Sequence, residues 1–221
     1  MTDRIVVVGA GGFGREVLDV IEARVESGDS LELLGVIDSG PREADLERLA
    51  DRRIAYLGTE REWIRSMRGD ERFVVAIGSP TIRRTVAERL SGIGLSALTV
   101  VHPRAVIGSR SKLGAGVVVT SGVQISTNVS LGDHVHLNPG CIIGHDAILR
   151  DYVSVNPGAI VSGNVEVEQG SLLGAGSTIL QGLIIGERSV VGAAACVTKN
   201  VDSGTTVVGI PARTRSIDDG H

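Results

Sequence analysis

The sequence contains few aromatic residues and no long apolar or basic segment. Aromatic residues make up 2% of the 221 residues, which is low for a globular core but suits a core of stacked Val, Ile and Leu. No apolar run reaches about 18 residues, and the N-terminus leads into a strand-like segment without a signal peptide, so we expect a cytoplasmic protein without a membrane span. The formal net charge of −4 and the lack of a basic run argue against a nucleic-acid partner.

A six-residue repeat runs without a break over residues 105–200, and the third residue of all sixteen hexads is aliphatic. These residues are Ile107, Leu113, Val119, Ile125, Leu131, Leu137, Ile143, Leu149, Val155, Val161, Val167, Leu173, Ile179, Ile185, Val191 and Val197. Between them lie small, polar or glycine residues, which suit short strands separated by tight turns. The period fits no helix, and it predicts a parallel β-helix.

Only two cysteines are present, Cys141 and Cys196. Their positions in the hexads predict that Cys141 faces inward and that Cys196 faces outward, under the C-terminal segment. We interpret both as small packing residues rather than as a disulfide or a catalytic thiol.

The N-terminal hundred residues alternate between strand and helix patterns. Strands are predicted over 5–8, 33–37, 73–77 and 98–101, and helices over 15–23, 60–67 and 82–90. This order predicts a parallel α/β sheet. Gly9, Gly11 and Gly14 form a G-x-G-x-x-G turn between the first strand and helix, where backbone N–H groups can approach a diphosphate. An NAD oxidoreductase is disfavoured, because about 100 residues supply one mononucleotide-binding half and not two.

The Gly-rich loop, the hexads and the closing segment V-V-G-I-P-A-R at 207–213 together resemble the hexapeptide-repeat acetyltransferases. The nearest resemblance is to the N-acetyltransferases of nucleotide-linked amino sugars and the sialic acid O-acetyltransferases, and it covers residues 5–213. It implies a left-handed β-helix, a homotrimer, and acetyl-CoA bound as co-substrate between neighbouring helices. The predicted fold class is thus a small Rossmann-like parallel α/β domain over 1–101, a left-handed β-helix acyltransferase domain over 102–213, and a mobile tail over 214–221.

The resemblance also implies substrate-binding residues. Gly11, Gly12 and Gly14 match the loop that meets the diphosphate, and Asp38 follows the second strand, where an acidic residue meets the ribose or base. The loop departs from many relatives at Phe13, which stands where they carry a substrate-contacting His.

The segment around His145 and Asp146 matches the family's I-x-H-[DE] motif, which carries the catalytic base. An imidazole is suited to take the proton of an attacking amine, and a neighbouring carboxylate can fix its tautomer. Adjacent side chains point apart in an extended chain, so the pair requires a corner conformation. With eighteen residues to a coil, Gly163 stacks on His145 and leaves room for a thioester.

Further positions follow from the same resemblance and coil length. Asn138 matches a family position seven residues before the base. The eighteen-residue coil stacks Asn138 on Asn156, Gly174 and Gly192, a column suited to a pantetheine arm. Ser154 stands where some relatives carry a second His. The expected cofactor-binding set is Ser154, Gly163, Gly174, Gly192, Lys199 and Arg213, with the last two near the CoA 3′-phosphate.

No metal is expected. Zinc-binding hexapeptide proteins carry one His five residues before another, whereas positions 140 and 150, on either side of His145, are Gly140 and Arg150. His134 and His136 are therefore not expected to bind zinc, and His136 is interpreted as structural or as lining the sugar pocket. His102 is interpreted as structural, and His221 as part of the tail.

The sequence therefore predicts an acetyl-CoA-dependent N-acetyltransferase acting on a UDP- or dTDP-linked 4-amino-4,6-dideoxy sugar by direct transfer, with His145 as general base. Two alternatives stay open: an O-acetyltransferase acting on sialic acid or another sugar, and a non-catalytic sugar-nucleotide-binding or assembly protein.

Overall fold

The computed structural model describes residues 2–215, which form two compact units. The first consists of residues 2–103 and 115–120, and the second of residues 104–114 and 121–215. Most of the predicted tail, including His221, lies outside the described residues, but Thr214 belongs to the last strand. The predicted domain limits stay a prediction.

The first unit is a four-stranded parallel sheet with helices packed against it, in the strand order β2-β1-β3-β4. Its elements are β1 (Asp3–Val8), α1 (Gly12–Glu26), β2 (Leu31–Ile37), α2 (Glu43–Asp51), α3 (Glu60–Ile64), β3 (Arg72–Val75), α4 (Pro80–Gly92), β4 (Ser96–Ala97) and β5 (Val100–Val101). β1 is buried in the centre because its apolar run Ile5–Val8 is covered on both faces, as expected for a parallel sheet.

The helices differ from the sequence prediction at their ends and in number. α1 begins at Gly12, three residues early, because Gly11 is its N-cap. α3 ends at Ile64, and the strand predicted over 98–101 is replaced by the two short strands β4 and β5. α2 was not among the predicted helices, since five of its nine residues are charged and its apolar stripe of Leu46, Leu49 and Ala50 is short.

The hexads form two-residue strands in both units. They are β6 (Val106–Ile107), β7 (Lys112–Leu113), β8 (Val118–Val119), β9 (Gln124–Ile125), β10 (Ser130–Leu131), β11 (His136–Leu137), β12 (Ile142–Ile143), β13 (Ile148–Leu149), β14 (Ser154–Val155), β15 (Ile160–Val161), β16 (Glu166–Val167), β17 (Leu172–Leu173), β18 (Thr178–Ile179), β19 (Ile184–Ile185), β20 (Val190–Val191) and β21 (Cys196–Val197), followed by β22 (Thr206–Val208) and β23 (Arg213–Thr214). Only β8 belongs to the first unit, where it pairs with β5.

In the second unit the hexad strands up to β18 pair in parallel with the strand eighteen residues later, as Ser130 does with Ile148, whereas β20 pairs with β22 sixteen residues later. The strands build the three faces of a parallel β-helix. Of the third hexad residues, only Ile107 and Leu113 are not buried. The stacked aliphatic column is therefore the core of the helix, as the repeat predicts.

The two cysteines are packing residues. Cys141 is fully buried, and burial raises the pKa of its thiol to about 12. Cys196 is partly exposed and lies under the C-terminal segment, since its N–H donates to the Gly209 carbonyl and its carbonyl accepts from Ala212. Within residues 2–215, no helix combines the length and apolarity needed to cross a membrane.

Candidate active site

His145 and Asp146 occupy the corner that follows β12. Nδ1 of His145 lies 2.7 Å from Oδ2 of Asp146, and the imidazole is more than half exposed. The contact is possible because Asp146 has a φ of 60°, so the two adjacent side chains do not point apart. A proton on Nδ1 held by the carboxylate leaves Nε2 as the acceptor of the ring.

Asp146 receives a second hydrogen bond, from Nδ2 of Asn128 to its Oδ1 at 2.5 Å. The hydrogen bonds from Asn128 and then from His145 hold the pKa of this carboxyl below its ordinary value. Asp146 is therefore an anion at neutral pH and can stabilise a protonated imidazole beside it.

Gly163 lies against the imidazole, one coil beyond His145. A Cβ at this position would be 2.6 Å from both Nε2 and Cε1 of the ring. Any side chain larger than hydrogen would therefore displace the imidazole, and glycine leaves the space around Nε2 open.

Asn138 and Ser154 are buried in the β-helix. Nδ2 of Asn138 donates to the Val155 carbonyl at 2.9 Å and to Oδ1 of Asn156 at 3.4 Å, so the predicted stacking of the two asparagines is present. Ser154 is only 2% exposed. Their roles in binding substrate and cofactor stay predictions, and Ser154 in particular is not open to a ligand in the described chain.

Gly174 and Gly192 have a packing role. A Cβ on Gly174 would lie 2.5 Å from the backbone nitrogen of Ala193, and one on Gly192 would lie 2.7 Å from Cγ1 of Val208. Close approach of the following segment of chain therefore requires glycine at both positions, whether or not a cofactor lies there.

Lys199 and Arg213 line one cavity of about 230 Å³ near the end of the β-helix. Lys199 also occupies the same corner of the coil as His145, three coils further on, since the coil length is eighteen residues. At a strand spacing of about 4.8 Å the two residues are about 14 Å apart along the helix axis.

The Gly-rich loop of the first unit is tightly packed at Gly14 and open at Gly11 and Gly12. A Cβ on Gly14 would lie 2.0 Å from the Gly9 carbonyl oxygen, so Gly14 is required for packing, whereas a Cβ on Gly11 would meet nothing within 4 Å. Gly12 is similarly open. The open pair allows a phosphate to approach the N-terminus of α1 closely.

Asp38 holds this loop in place. Its Oδ2 accepts the N–H of Ala10 at 2.8 Å and its Oδ1 accepts that of Gly40 at 2.9 Å. The residue thus orders the loop as well as standing at the edge of a crevice of about 240 Å³, where β1 and β2 end. The crevice is lined by Val8, Gly9, Ile37, Asp38, Ser39, Glu60, Ile77, Ile82, Val86 and Arg89. This is the edge where open parallel sheets bind ligands.

Glu60 and Arg89 form an ion pair at the crevice that the sequence analysis missed. Neither belongs to a motif, and their proximity depends on how α3 and α4 pack. Elsewhere in residues 2–215, no cluster of three or more His, Cys, Asp or Glu side chains is placed to hold a metal ion.

Comparison with known proteins gives three consistent matches. Residues 4–90 match the family model of the PglD N-terminal domain. The chain is 32% identical over 129 residues to the GDP-perosamine N-acetyltransferase of Escherichia coli O157:H7, covering 55% of this chain and 53% of the relative. It is 31% identical over 118 residues to the UDP-N-acetylbacillosamine N-acetyltransferase of Bacillus subtilis, covering 52% and 50%. The matches therefore span about half the length of these curated relatives.

Solved structures match over almost the whole chain. A perosamine N-acetyltransferase of Caulobacter crescentus, solved with CoA and GDP-perosamine, gives a TM-score of 0.85 at 26% identity, covering 97% of this chain and 98% of that one. The acetyltransferase domain of PglB from Neisseria gonorrhoeae gives 0.84 at 25% identity, covering 97% and 100%. These matches confirm the predicted fold class, a Rossmann-like domain and a left-handed β-helix.

Proposed function

We propose that this chain, a member of the hexapeptide-repeat sugar N-acetyltransferases, transfers an acetyl group from acetyl-CoA to the amino group of a nucleotide-linked amino sugar. Two of its relatives are named for this reaction on GDP- and UDP-linked sugars, and solved relatives carry CoA. The observation that carries the proposal is the His145–Asp146 pair packed against Gly163.

His145 acts as the general base. The sugar amine attacks the thioester carbonyl carbon, and Nε2 takes the proton that the nitrogen loses as the C–N bond forms. The C–S bond then breaks, and CoA leaves as a thiolate that is protonated to the thiol. Asp146 stabilises the imidazolium formed in the first step. No covalent acyl-enzyme is needed, which agrees with the raised pKa of the buried Cys141 thiol.

The first unit binds the nucleotide. Gly11 and Gly12, where a Cβ would have open space, let the diphosphate approach their N–H groups at the N-terminus of α1, and Gly14 provides the tight packing behind them. Asp38, at the edge of the crevice, meets the ribose or base. We propose a UDP- or dTDP-linked 4-amino-4,6-dideoxy sugar as the acceptor, and GDP is the alternative nucleotide that the relatives' names provide.

Acetyl-CoA binds along the β-helix across two neighbouring corners: His145, Gly163 and Lys199 follow β12, β15 and β21, whereas Gly174 and Gly192 follow β17 and β20. With the thioester at His145 and Gly163, a pantetheine arm following Gly174 and Gly192 leads toward the cavity lined by Lys199 and Arg213. Two cations there suit the CoA 3′-phosphate. Asn138 supports from inside the corner that carries Gly174 and Gly192, and a homotrimer would supply the second wall of the groove.

The proposal is tested by thiol release from acetyl-CoA. UDP-, dTDP- and GDP-linked 4-amino sugars and free sialic acid are offered to the wild-type protein and to His145→Ala. We expect one amino sugar to be acetylated, with turnover reduced about 10²–10⁴-fold in the variant. Turnover with sialic acid alone would instead establish the O-acetyltransferase. Tight nucleotide-sugar binding with no thiol release would favour a non-catalytic binding protein.

A further inference from the structure

Asn128 is connected to the catalytic corner through Asp146. It stands eighteen residues before Asp146, at the same corner one coil earlier. The Asp146 carboxylate accepts one hydrogen bond on each oxygen: from Nδ2 of Asn128 at 2.5 Å and, on the other oxygen, at 2.7 Å from Nδ1 of His145. The three side chains thus form a continuous chain from amide to carboxylate to imidazole.

The backbone places this chain at two successive corners. Asn128 and Asp146 both have left-handed φ values, 63° and 60°, which Asn and Asp adopt more readily than most residues. The N–H of Asn128 donates to the Ser109 carbonyl at 2.9 Å, and that of Asp146 donates to the Thr127 carbonyl at 3.2 Å. Both corners are therefore tied to the coil before them, so their side chains start from fixed positions.

We propose that Asn128 is a positioning residue for the transfer reaction, which fixes the carboxylate of Asp146 and thereby holds His145 with Nδ1 protonated and Nε2 free to accept a proton. The role in turnover depends on the proposed function. The effect on the imidazole tautomer does not depend on the proposed function, because the tautomer is a property of the protein without substrate.

An exposed catalytic pair needs such a residue. The side chains of His145 and Asp146 are 59% and 41% exposed, so water competes for the carboxylate and a single hydrogen bond would leave it free to rotate. The amide of Asn128 engages the oxygen that His145 does not use. It adds no charge and does not itself titrate, so it orients the carboxylate without competing for the proton.

Few charges occupy the column of corner residues to which Asn128 and Asp146 belong. In the same corner position, Arg110 stands one coil before Asn128 and the uncharged Asn164 one coil after Asp146. Asp146 is therefore the single carboxylate in this column, from residue 110 to residue 200. Adding a second carboxylate at position 128 changes the charge beside the imidazole in a predictable direction.

The test uses Asn128→Ala and Asn128→Asp with two readouts. The first is long-range ¹H–¹⁵N NMR of the protein labelled with ¹⁵N-histidine, in which His145 is assigned by its loss in His145→Ala. The second is the pH dependence of kcat and kcat/KM. In Asn128→Ala we expect a smaller fraction of the Nδ1–H tautomer. We also expect kcat to fall about tenfold, the lower range for a hydrogen bond to a charged group, with KM for acetyl-CoA nearly unchanged.

Asn128→Asp removes the donor, keeps the shape and adds a negative charge. A protonated imidazole is then favoured up to a higher pH, so the acidic limb of kcat/KM should move upward by about one pH unit. Asn128→Ala adds no charge and should not produce this upward shift. Because Asp tolerates a left-handed φ as Asn does, this variant keeps the proposal testable if the alanine variant does not fold.

Asn164→Ala is the matched control. Asn164 has the same residue type and a φ of 57°, so alanine causes the same backbone strain there, yet within the described chain its side chain makes no hydrogen bond to Asp146. We expect the wild-type tautomer and kcat. The proposal is overturned if Asn128→Ala retains the wild-type tautomer, or if Asn164→Ala changes it equally. If no acceptor is turned over, the proposed function fails, and the NMR result still decides the role of Asn128.

Discussion

At the scale of single residues, two glycines near His145 have different physical reasons to be glycine. A Cβ on Gly144 would lie 2.5 Å from the backbone nitrogen of Gly163, and the backbone of the next coil cannot move away. A Cβ on Gly163 would instead meet the imidazole of His145, which is an exposed side chain that can rotate. A substitution at Gly163 should therefore displace the imidazole of the base rather than destabilise the fold.

We predict that Gly163→Ala lowers kcat about 10²-fold, because the added methyl group displaces the imidazole by about 1 Å, while the melting temperature stays within about 2 °C of the wild type. Steady-state kinetics and thermal denaturation measure the two effects. Gly92→Ala, at the last residue of α4 where a Cβ would meet nothing within 4 Å, is the control: it should leave kcat unchanged and leave the melting temperature equal or raise it by a few degrees, because alanine is the better helix former. A Gly163→Ala protein with full activity would show that the imidazole position does not limit turnover.

Much of this corner could be predicted from the sequence, and the part that could not has a clear reason. The eighteen-residue coil places Gly163 on His145 by arithmetic alone. The same arithmetic connects Asn128 to Asp146, but Asn is common at hexad corners, so residue type alone does not identify the one that binds a catalytic carboxylate. The burial of Ser154 was also not predicted, since the hexad pattern does not report what covers an outward position.

At the scale of elements, α2 shows a helix that tertiary contacts specify. Its Asp45 is buried and accepts hydrogen bonds from Arg42 and Arg15 at 2.7 Å each, and Arg48 is a third cation nearby. Arg15 also donates to the Ala10 carbonyl of the Gly-rich loop. The hydrogen bonds from Arg42 and then Arg15 lower the pKa of Asp45 to about 2. This carboxylate therefore connects α2 to the loop, which no local sequence pattern could indicate.

We predict that Asp45→Asn lowers the melting temperature by about 5 °C at pH 7 and raises KM for the nucleotide sugar about fivefold, because the loop loses its support through Arg15. The folded-state pKa lies below the ordinary value of 3.8, so the stabilisation is present above pH 4 and is lost as the pH falls toward about 2. The difference in melting temperature between the wild type and Asp45→Asn should accordingly narrow as the pH falls from about 4 to about 2. A difference that stays constant over this range would contradict the role of the charged carboxylate.

Glu88→Gln is the control for this experiment. Glu88 forms an exposed pair with Arg84 on α4, four residues apart. Exposed pairs of this kind contribute little, so the variant should match the wild type at every pH.

The aliphatic column of the β-helix makes a second element-scale prediction. Ile179 is fully buried between coils, whereas Ile107, in the same hexad position near the start of the repeat, is 39% exposed. We expect Ile179→Ala to lower the free energy of unfolding by about 3 kcal/mol and Ile107→Ala by less than about 1 kcal/mol. Urea denaturation of both variants measures the difference. Equal losses would show that position in the hexad, and not burial, sets the cost.

At the scale of the whole molecule, the sequence alone predicted the solenoid and the parallel sheet, because both follow from repeating apolar patterns. It did not determine the hand of the β-helix or the number of chains in the assembly, because a six-residue period suits either hand and contains no information about partners. The hand is confirmed by the structural relatives. The homotrimer stays a prediction, and the surface of the β-helix provides a way to test it.

One face of the β-helix is suited to contact with a second copy of the chain. The outward positions of the sheet β6-β9-β12-β15-β18-β21 are Val106, Gln124, Ile142, Ile160, Thr178 and Cys196. Ile142 and Ile160 are 41% and 37% exposed on this face, and His145 lies two residues after the end of β12. Neighbouring exposed isoleucines are a feature of interfaces rather than of free surfaces.

We predict that Ile160→Glu converts a trimer into monomers, because an unpaired charge in an apolar interface costs several kcal/mol. Light scattering after size-exclusion chromatography measures the mass, and thiol release measures the activity. If the groove for acetyl-CoA needs a second wall, the activity should be lost when the trimer dissociates.

Ile184→Glu is the control. Ile184 is 45% exposed but lies on the sheet β7-β10-β13-β16-β19, so its variant should stay trimeric and active. A wild-type protein that is already monomeric and active would refute both the trimer and the shared groove. Loss of the trimer in both variants would move the interface away from the β12 face.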